Sequence, residues 1–368
     1  MIGRRLAAAR RLGAWGLARE ASHRLLTRLP VTSWPGGWAP PVYALSWWLT
    51  EACNLDCSMC WVDDRPRATM AVAHWLKLAD EVRWCRPRIT FTGGEPTLYP
   101  GMLELAEGVK ARGLYLSLNT NGLRLTQGDL ARRLVAVGLD DISLSLDGMA
   151  ERHDTIRGRA QAWQSTVAGI RALVAERGRR AAPVIRVTTV VSPENAQDLV
   201  PLHRTLAELG VDCHTVQHRW FVAPASLEAH AGEAGRRLGL DARCLEGLVW
   251  DSPAPIPGLD QRLREMRGLG LPLRLVQSPP LSPLEMERYY ASPVDPVRSR
   301  CASRWYRMTI LSDGQATPCL GLMLGSVREQ PFGQLWNGPA MRRFRKDLAA
   351  GGLLPGCARC CGLFSDGD

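Results

Sequence analysis

Lysine is nearly missing from this sequence. Of its 46 basic residues only three are lysine, Lys77, Lys110 and Lys346. The net charge of +10 is therefore carried by arginine, a bias in keeping with GC-rich coding. No basic cluster is interleaved with aromatic residues, which argues against nucleic acid as a partner. A basic surface suits an anionic substrate, a phospholipid surface or an acidic electron donor instead. Long hydrophobic runs are also missing. No stretch approaches the ~18 consecutive apolar residues of a membrane-spanning helix, and no apolar segment precedes a small-residue cleavage site near the N-terminus. These absences predict a cytoplasmic protein, with peripheral contact at the inner membrane surface as a further expectation.

What is present is a core-forming composition, 46% hydrophobic over 368 residues, enough for one large domain with an appendage or for two ordinary domains. Eleven cysteines in a chain expected to stay in a reducing compartment argue for ligands rather than disulfides. Cys53, Cys57 and Cys60 cluster early, and Cys301, Cys319, Cys357, Cys360 and Cys361 gather late. Cys85, Cys213 and Cys244 stand alone and read as small buried hydrophobes.

The chain divides into four parts by pattern. Residues 1–40 read as a basic helical extension, Arg-rich up to about residue 30 and breaker-rich after it. It packs on the outside of the domain or lies on anionic lipid. Residues 41–222 alternate short apolar strands with amphipathic helices. The strands fall at Tyr43–Thr50, Arg88–Thr92, Leu114–Leu118, Asp141–Leu146, Val184–Val191 and Cys213–Val222. Such repetition predicts an α/β fold with a parallel sheet, here a partial (β/α)6 TIM-like barrel, whose functional groups belong in loops at the C-terminal ends of the strands. Residues 223–300 lose the regularity and read as an insertion closing the barrel mouth. Residues 301–368 open with a hairpin signal at Met308–Cys319 around Asp313-Gly314 and end in the late cysteines.

Cys53-x3-Cys57-x2-Cys60 follows the first strand directly. Three thiolates hold three irons of a cubane and leave the fourth iron for an exogenous ligand, since clusters usually take four Cys. A structural zinc site wants four ligands, and no His lies close by. Cys53-Asn54-Leu55-Asp56-Cys57-Ser58-Met59-Cys60 resembles the CxxxCxxC motif of the radical S-adenosylmethionine (radical SAM) superfamily. Gly93-Gly94-Glu95-Pro96, after the second strand, is similar to that family's motif for the amino group of the substrate methionine. The resemblance implies that S-adenosylmethionine chelates the open iron of a [4Fe-4S] cluster and is cleaved reductively to a 5′-deoxyadenosyl radical. It implies an electron donor such as flavodoxin or ferredoxin. Met59 stands where the family usually has an aromatic residue against the adenine, and its polarisable sulfur can pack on a flat ring. The resemblance further implies ribose and carboxylate contacts at Ser145 and Asp147, in Ser-Leu-Ser-Leu-Asp-Gly, and pairs Arg157 with the S-adenosylmethionine carboxylate, which a guanidinium fork suits. Asn119 and Asn121 read equally as cofactor contacts or as Asn-Gly turn chemistry.

The late cysteines are similar to the auxiliary-cluster appendage called SPASM, in its shortened twitch form. One auxiliary [4Fe-4S] cluster is expected at Cys301, Cys319, Cys357 and Cys360, with Cys361 competing for the last place. Four Cys in two pairs hold zinc equally well. A fully ligated cluster of this kind acts as an electron relay. The expected substrate is a small molecule or lipid, the main rival being a ribosomal peptide; a non-catalytic scaffold leaves the Gly-Gly-Glu-Pro motif unexplained. His218, Arg219, Trp220, Tyr289, Tyr290 and Trp305 are candidates for shaping the pocket, although each alone is as easily packing.

Overall fold

Alternation along the strands dictates the architecture. The computed structural model describes residues 34–62, 68–238, 242–251, 253–319 and 321–364. The helices expected within 1–30 and the side chain of Cys244 lie outside that set. Nine strands form one sheet: β1 Ala44–Thr50, β2 Arg88–Gly93, β3 Tyr115–Thr120, β4 Asp141–Ser145, β5 Val184–Val191, β6 Cys213–His218, β7 Arg274–Ser278, β8 Arg307–Ile310 and β9 Ala316–Thr317. Their order is β7-β6-β5-β4-β3-β2-β1-β8-β9. All neighbours pair in parallel except β8 with β9, the expected hairpin.

Between the strands run α1 Val72–Val82, α2 Met102–Ala111, α3 Leu130–Val137, α4 Ala150–Arg157, α5 Ala162–Arg177 and α6 Leu199–Glu208. Then follow α7 Pro224–Leu238, α8 Leu259–Gly268, α9 Pro283–Ala291, α10 Phe332–Asn337 and α11 Pro339–Gly351. Leu45, Trp47, Ile89, Phe91, Leu116, Leu118, Ile142, Leu144, Ile185 and Val187 are buried on the helix-facing side of the sheet. Trp47 there stacks on Trp75 of α1 at 5.0 Å and on Phe91 at 5.9 Å. The opposite face carries Ser46, Trp48, Thr90, Thr92, Ser117, Asn119, Ser143, Ser145, Arg186 and Thr188, none of them fully buried. A period of two therefore separates a dry outer core from a polar, accessible inner face.

The sheet is larger than the six strands read from sequence. The stretch 223–300, expected only to close the mouth, also supplies β7, which pairs with β6 from Cys213↔Arg274 to Gln217↔Ser278. None of its five residues is fully buried, so the strand lacks the apolar alternation that marks the others. On the other side β8 pairs with β1 from Ala44↔Arg307 to Trp47↔Ile310, so the C-terminal segment shares the barrel sheet rather than hanging beside it. Arg345 of α11, fully buried, reinforces the join. It donates to the Gly37, Asn337 and Arg304 oxygens at 3.3, 2.8 and 2.9 Å and lies over the Trp336 ring at 4.3 Å. Among the described residues no helix is long and apolar enough to cross a membrane.

Five histidines among the described residues are buried, His153, His203, His214, His218 and His230, and three of them are held strongly neutral. His214 on β6 bonds Thr189 Oγ1 at 3.0 Å and His203 Nδ1 at 3.1 Å, and burial pushes its pKa down to about 3. Burial likewise takes His153 to about 3 and His218 to about 4. A His whose folded-state pKa lies below its unfolded value of about 6.5 stabilises the fold fully above that pH and loses the contribution as pH falls. Each ring should cost about 2 kcal/mol of stability by pH 5. Urea unfolding at pH 7 and pH 5 checks this: the pH dependence becomes shallower in His214→Asn, and an unchanged slope would show that the ring is not held neutral.

Candidate functional site

The early cysteines occupy the loop leaving β1 at the C-terminal edge of the sheet. That loop is clamped from two sides. On one, Gly94 N donates to Thr50 O at 2.9 Å and Glu95 N to Ala52 O at 2.8 Å. A side chain is impossible at either glycine: a Cβ would lie 2.3 Å from Thr50 O at Gly93, whose φ is +124°, and 2.4 Å from Ala52 O at Gly94. On the other side, Asp56 N and Ser58 N donate to the Arg157 and Ile156 carbonyls at the end of α4, at 3.2 and 2.9 Å. Cys53 and Cys60 are exposed and Cys57 half-buried. Burial raises the thiol pKa of Cys53, and the charges of Glu95, Cys57 and Cys60 add to the rise. The three thiols are thus near neighbours whose thiolates repel, an arrangement relieved by a cationic iron core.

Glu95 faces inward and is 1% exposed. Its Oε1 accepts from Thr97 N at 3.0 Å, Thr97 Oγ1 at 2.7 Å and Thr120 Oγ1 at 2.8 Å, and its Oε2 accepts from Asn121 N at 2.8 Å. Four protein donors use this carboxylate to lock the loop after β2 to the loop after β3. Asn121 is spent in the same work: its Oδ1 accepts from Leu123 N at 3.0 Å and its Nδ2 donates to Asn54 Oδ1 at 2.7 Å. Replacing Glu95 by Gln sets an amide donor against the Asn121 N–H or weakens the Oε1 bonds. The expected loss is about 2 kcal/mol in denaturant unfolding, and a value near zero would mean the carboxylate is solvated.

Asp147 and Arg157 form a buried ion pair, with Asp147 0% exposed. Asp147 Oδ1 also accepts from Val190 N at 2.7 Å, and the second arm of Arg157 donates to Cys57 Sγ at 3.4 Å. Burial opposes the Arg157 charge, but Asp147 and Cys57 outweigh it and hold the guanidinium protonated. Arg157, expected to meet the S-adenosylmethionine carboxylate, is therefore already paired, and it reaches the cysteine loop directly. His153, neutral, accepts from Asp147 N at 3.0 Å.

Asn119 is exposed and Ser145 half-buried, both on the inner face at the strand ends. Met59 is half-buried in the cysteine loop. Above them lie three tryptophans. Trp61 contacts Trp48 of β1 at 5.2 Å and Trp220, just beyond β6, at 5.5 Å. Residues Val222, Leu245 and Leu248 pack behind Trp61 and Trp220. Of the other pocket candidates, His218, Tyr289, Tyr290 and Trp305 are each 1% exposed. His218 bonds Tyr290 OH at 2.8 Å, and Tyr289 OH donates to Arg219 O at 2.8 Å, so these rings are packing. The guanidinium of Arg219 lies over Trp250 at 4.7 Å.

A second centre lies in the C-terminal segment. Cys301, Cys319, Cys357 and Cys360 line one cavity with Arg304, Phe344, Leu348, Leu354 and Leu363. Burial pushes the Cys301 and Cys357 thiols up, and each is opposed further by neighbouring thiolates. Cys361 is exposed as a residue and outside that lining, yet its thiol bonds Cys360, and that bond with the Arg304 and Arg307 charges brings its pKa down to about 7. Arg359, between Cys357 and Cys360, is 1% exposed and donates to the Arg288, Tyr289 and Ser292 carbonyls at the end of α9, at 2.9, 2.5 and 2.5 Å. That anchor fixes the Cys-x-x-Cys turn. Arg304 and Arg359 carry no signal in the sequence beyond standing near cysteines. Cys85 is half-buried, its thiol donating to Val82 O at 3.2 Å, and Cys213 is buried at the start of β6.

Comparison with known proteins matches two stretches of the chain. Residues 49–206 match the radical SAM superfamily and residues 301–361 the SPASM iron-sulfur cluster-binding domain. The chain is an enzyme that carries a radical SAM domain and a C-terminal SPASM domain, and these domains imply a [4Fe-4S] cluster, S-adenosylmethionine and an auxiliary iron–sulfur cluster. The chain is 26% identical over 323 residues to an AdoMet-dependent heme synthase of Methanosarcina barkeri, covering 82% of this chain and 84% of that one. It is 26% identical over 324 residues to a pre-heme d1 synthase of Dinoroseobacter shibae, covering 81% and 74%. Among solved structures, SuiB of Streptococcus suis bound to S-adenosylmethionine shares the fold with a TM-score of 0.62 at 14% identity, over 83% of this chain and 68% of that one.

Proposed function

We propose that this enzyme performs hydrogen-atom abstraction on a small organic substrate with a flat, apolar ring system, and that the observation carrying the reading is the tryptophan trio beside the cysteine loop. Cys53, Cys57 and Cys60 would hold the catalytic cluster. When bound, that cluster supplies the electron that breaks the sulfonium bond of S-adenosylmethionine, received in turn from a donor such as flavodoxin or ferredoxin. The chain's own residues do the positioning. Gly93 and Gly94 admit the cysteine loop to within backbone contact, and Glu95 and Pro96 fix the turn that follows. Asn119 and Ser145 offer polar groups to the ribose and amino-acid portions, Arg157 keeps a positive charge between Asp147 and the loop, and Met59 packs beside the adenine. Trp48, Trp61 and Trp220 stack the substrate and exclude water.

Cys301, Cys319, Cys357 and Cys360 would hold one auxiliary [4Fe-4S] cluster. The two relatives compared over most of their length are named for heme and pre-heme d1 synthesis, which supports a planar macrocycle as the substrate class.

The test is 5′-deoxyadenosine release by reduced, cluster-loaded enzyme in the presence of tetrapyrroles or of short peptides. Stimulation by a tetrapyrrole, with KM raised in Trp220→Ala, is the expected result. Stimulation by peptide alone would overturn the reading and favour a ribosomal-peptide maturase.

A further inference from the structure

The cavity of the late cysteines contains one charged group that is not a thiol. Arg304 lines it together with Cys301, Cys319, Cys357 and Cys360, and the other walls are apolar, from Phe344, Leu348, Leu354 and Leu363. The guanidinium is packed tightly against the Cys360 turn: a Cβ at Gly362 would lie 2.2 Å from Arg304 Nη2 and 3.4 Å from Cys360 Sγ. Its side chain bonds Cys301, and Cys319 and Cys360 act on it electrostatically. Gly362 N donates to Cys360 Sγ at 3.3 Å, so the turn is held by the backbone as well. From behind, Arg345 Nε donates to Arg304 O at 2.9 Å, and Trp305, 1% exposed, fixes the next residue. Arg304 is half-buried as a residue, with its charge held in the cavity wall and acting on three of the four thiols that line it.

A cubane bound by four thiolates is negative in both oxidation states and gains one further negative charge on reduction. Cluster potentials respond to net charge, hydrogen bonds to the sulfurs and solvent exposure. A fixed guanidinium in an apolar wall favours the more negative state, and the low local dielectric keeps that preference from being screened. Resting on the reading that this cavity holds an iron–sulfur cluster, we infer that Arg304 is a positioning residue that raises the reduction potential of the auxiliary cluster, making it easier to reduce than the same four cysteines alone would.

The experiment isolates the auxiliary cluster in full-length protein carrying Cys53, Cys57 and Cys60→Ala, reconstituted with iron and sulfide, and follows a redox titration by electron paramagnetic resonance. In that background Arg304→Gln and Arg304→Met shift the midpoint to more negative values at unchanged iron content. Arg304→Lys, which keeps the charge but loses the planar fork, falls between them and the parent. Arg300→Met serves as control, since Arg300 is exposed beside Cys301 and solvent screens its charge. A midpoint unmoved in Arg304→Gln and Arg304→Met with iron retained, or a shift equal to that of Arg300→Met, overturns the inference. If Arg304→Met fails to load iron, the loaded Arg304→Lys protein decides by the same criterion. Absence of any auxiliary signal or iron in the parent background would instead sink the cluster reading itself, and zinc in its place would identify the alternative.

Discussion

Replacing Cys53, Cys57 and Cys60 together by alanine should lower the iron content from about eight to about four per chain, the loss of one of two four-iron clusters. Release of 5′-deoxyadenosine from S-adenosylmethionine should vanish with it. The expectation follows from position. The triad sits in the loop leaving β1 beside the inner face of the sheet, clamped by backbone bonds from Thr50, Ala52, Ile156 and Arg157. The late thiols surround a separate apolar cavity. Anaerobic iron and sulfide analysis, alongside the cleavage assay with dithionite, checks both halves. Four irons in the wild type with zinc retained in the variant would leave the enzyme intact but turn the C-terminal centre into a structural zinc site. Iron unchanged in the variant would remove the triad from the catalytic cluster.

The second large effect lies in the pair under the site. Asp147→Ala leaves the Arg157 charge, 11% exposed at its side chain, without its partner in a dry environment. Removing one partner of a buried ion pair costs about 3–5 kcal/mol, and this loss should appear in denaturant unfolding of the cluster-free protein. Because Arg157 also donates to Cys57 Sγ, cluster loading should fall in the same variant. The double variant Asp147→Ala/Arg157→Met removes the orphaned charge and should recover much of the stability. A single-variant cost below about 1 kcal/mol, the range of exposed pairs, would show the pair to be solvated.

Much of this organisation was legible before any coordinates. The helix at Ala162–Arg177 and the fifth strand at Val184–Val191 were read with their observed bounds: buried positions recur every three or four residues along the helix, at Ala162, Thr166, Gly169, Ile170 and Leu173, and alternate along the strand. The ends of β3 and β6 differ by a few residues, as element boundaries do. Three elements were not read. β7, half-buried except at Arg274, has no fully buried face to mark it. The six-residue α10 is too short to declare a period, although Phe332, Leu335 and Trp336 are buried along one side of it, and α4 holds only His153 and Ile156 in the core. The aromatic candidates near His218 divided for a similar reason: residue type marks a ring as large and apolar, but not whether it packs inside or lines the mouth.

The sequence alone determined the chemistry. Ligand type and spacing are local properties, so Cys53-x3-Cys57-x2-Cys60 and Gly93-Gly94-Glu95-Pro96 could be recognised without knowing what they touch. Tertiary structure decided the allegiances of charge. It turned Glu95 inward onto four donors, gave Arg157 to Asp147 and Cys57, set the Cys361 thiol against Cys360, and placed Arg304 among the late thiols. Those outcomes depend on contacts between residues far apart in the chain, where burial and electrostatics are set by neighbours that a linear pattern does not contain.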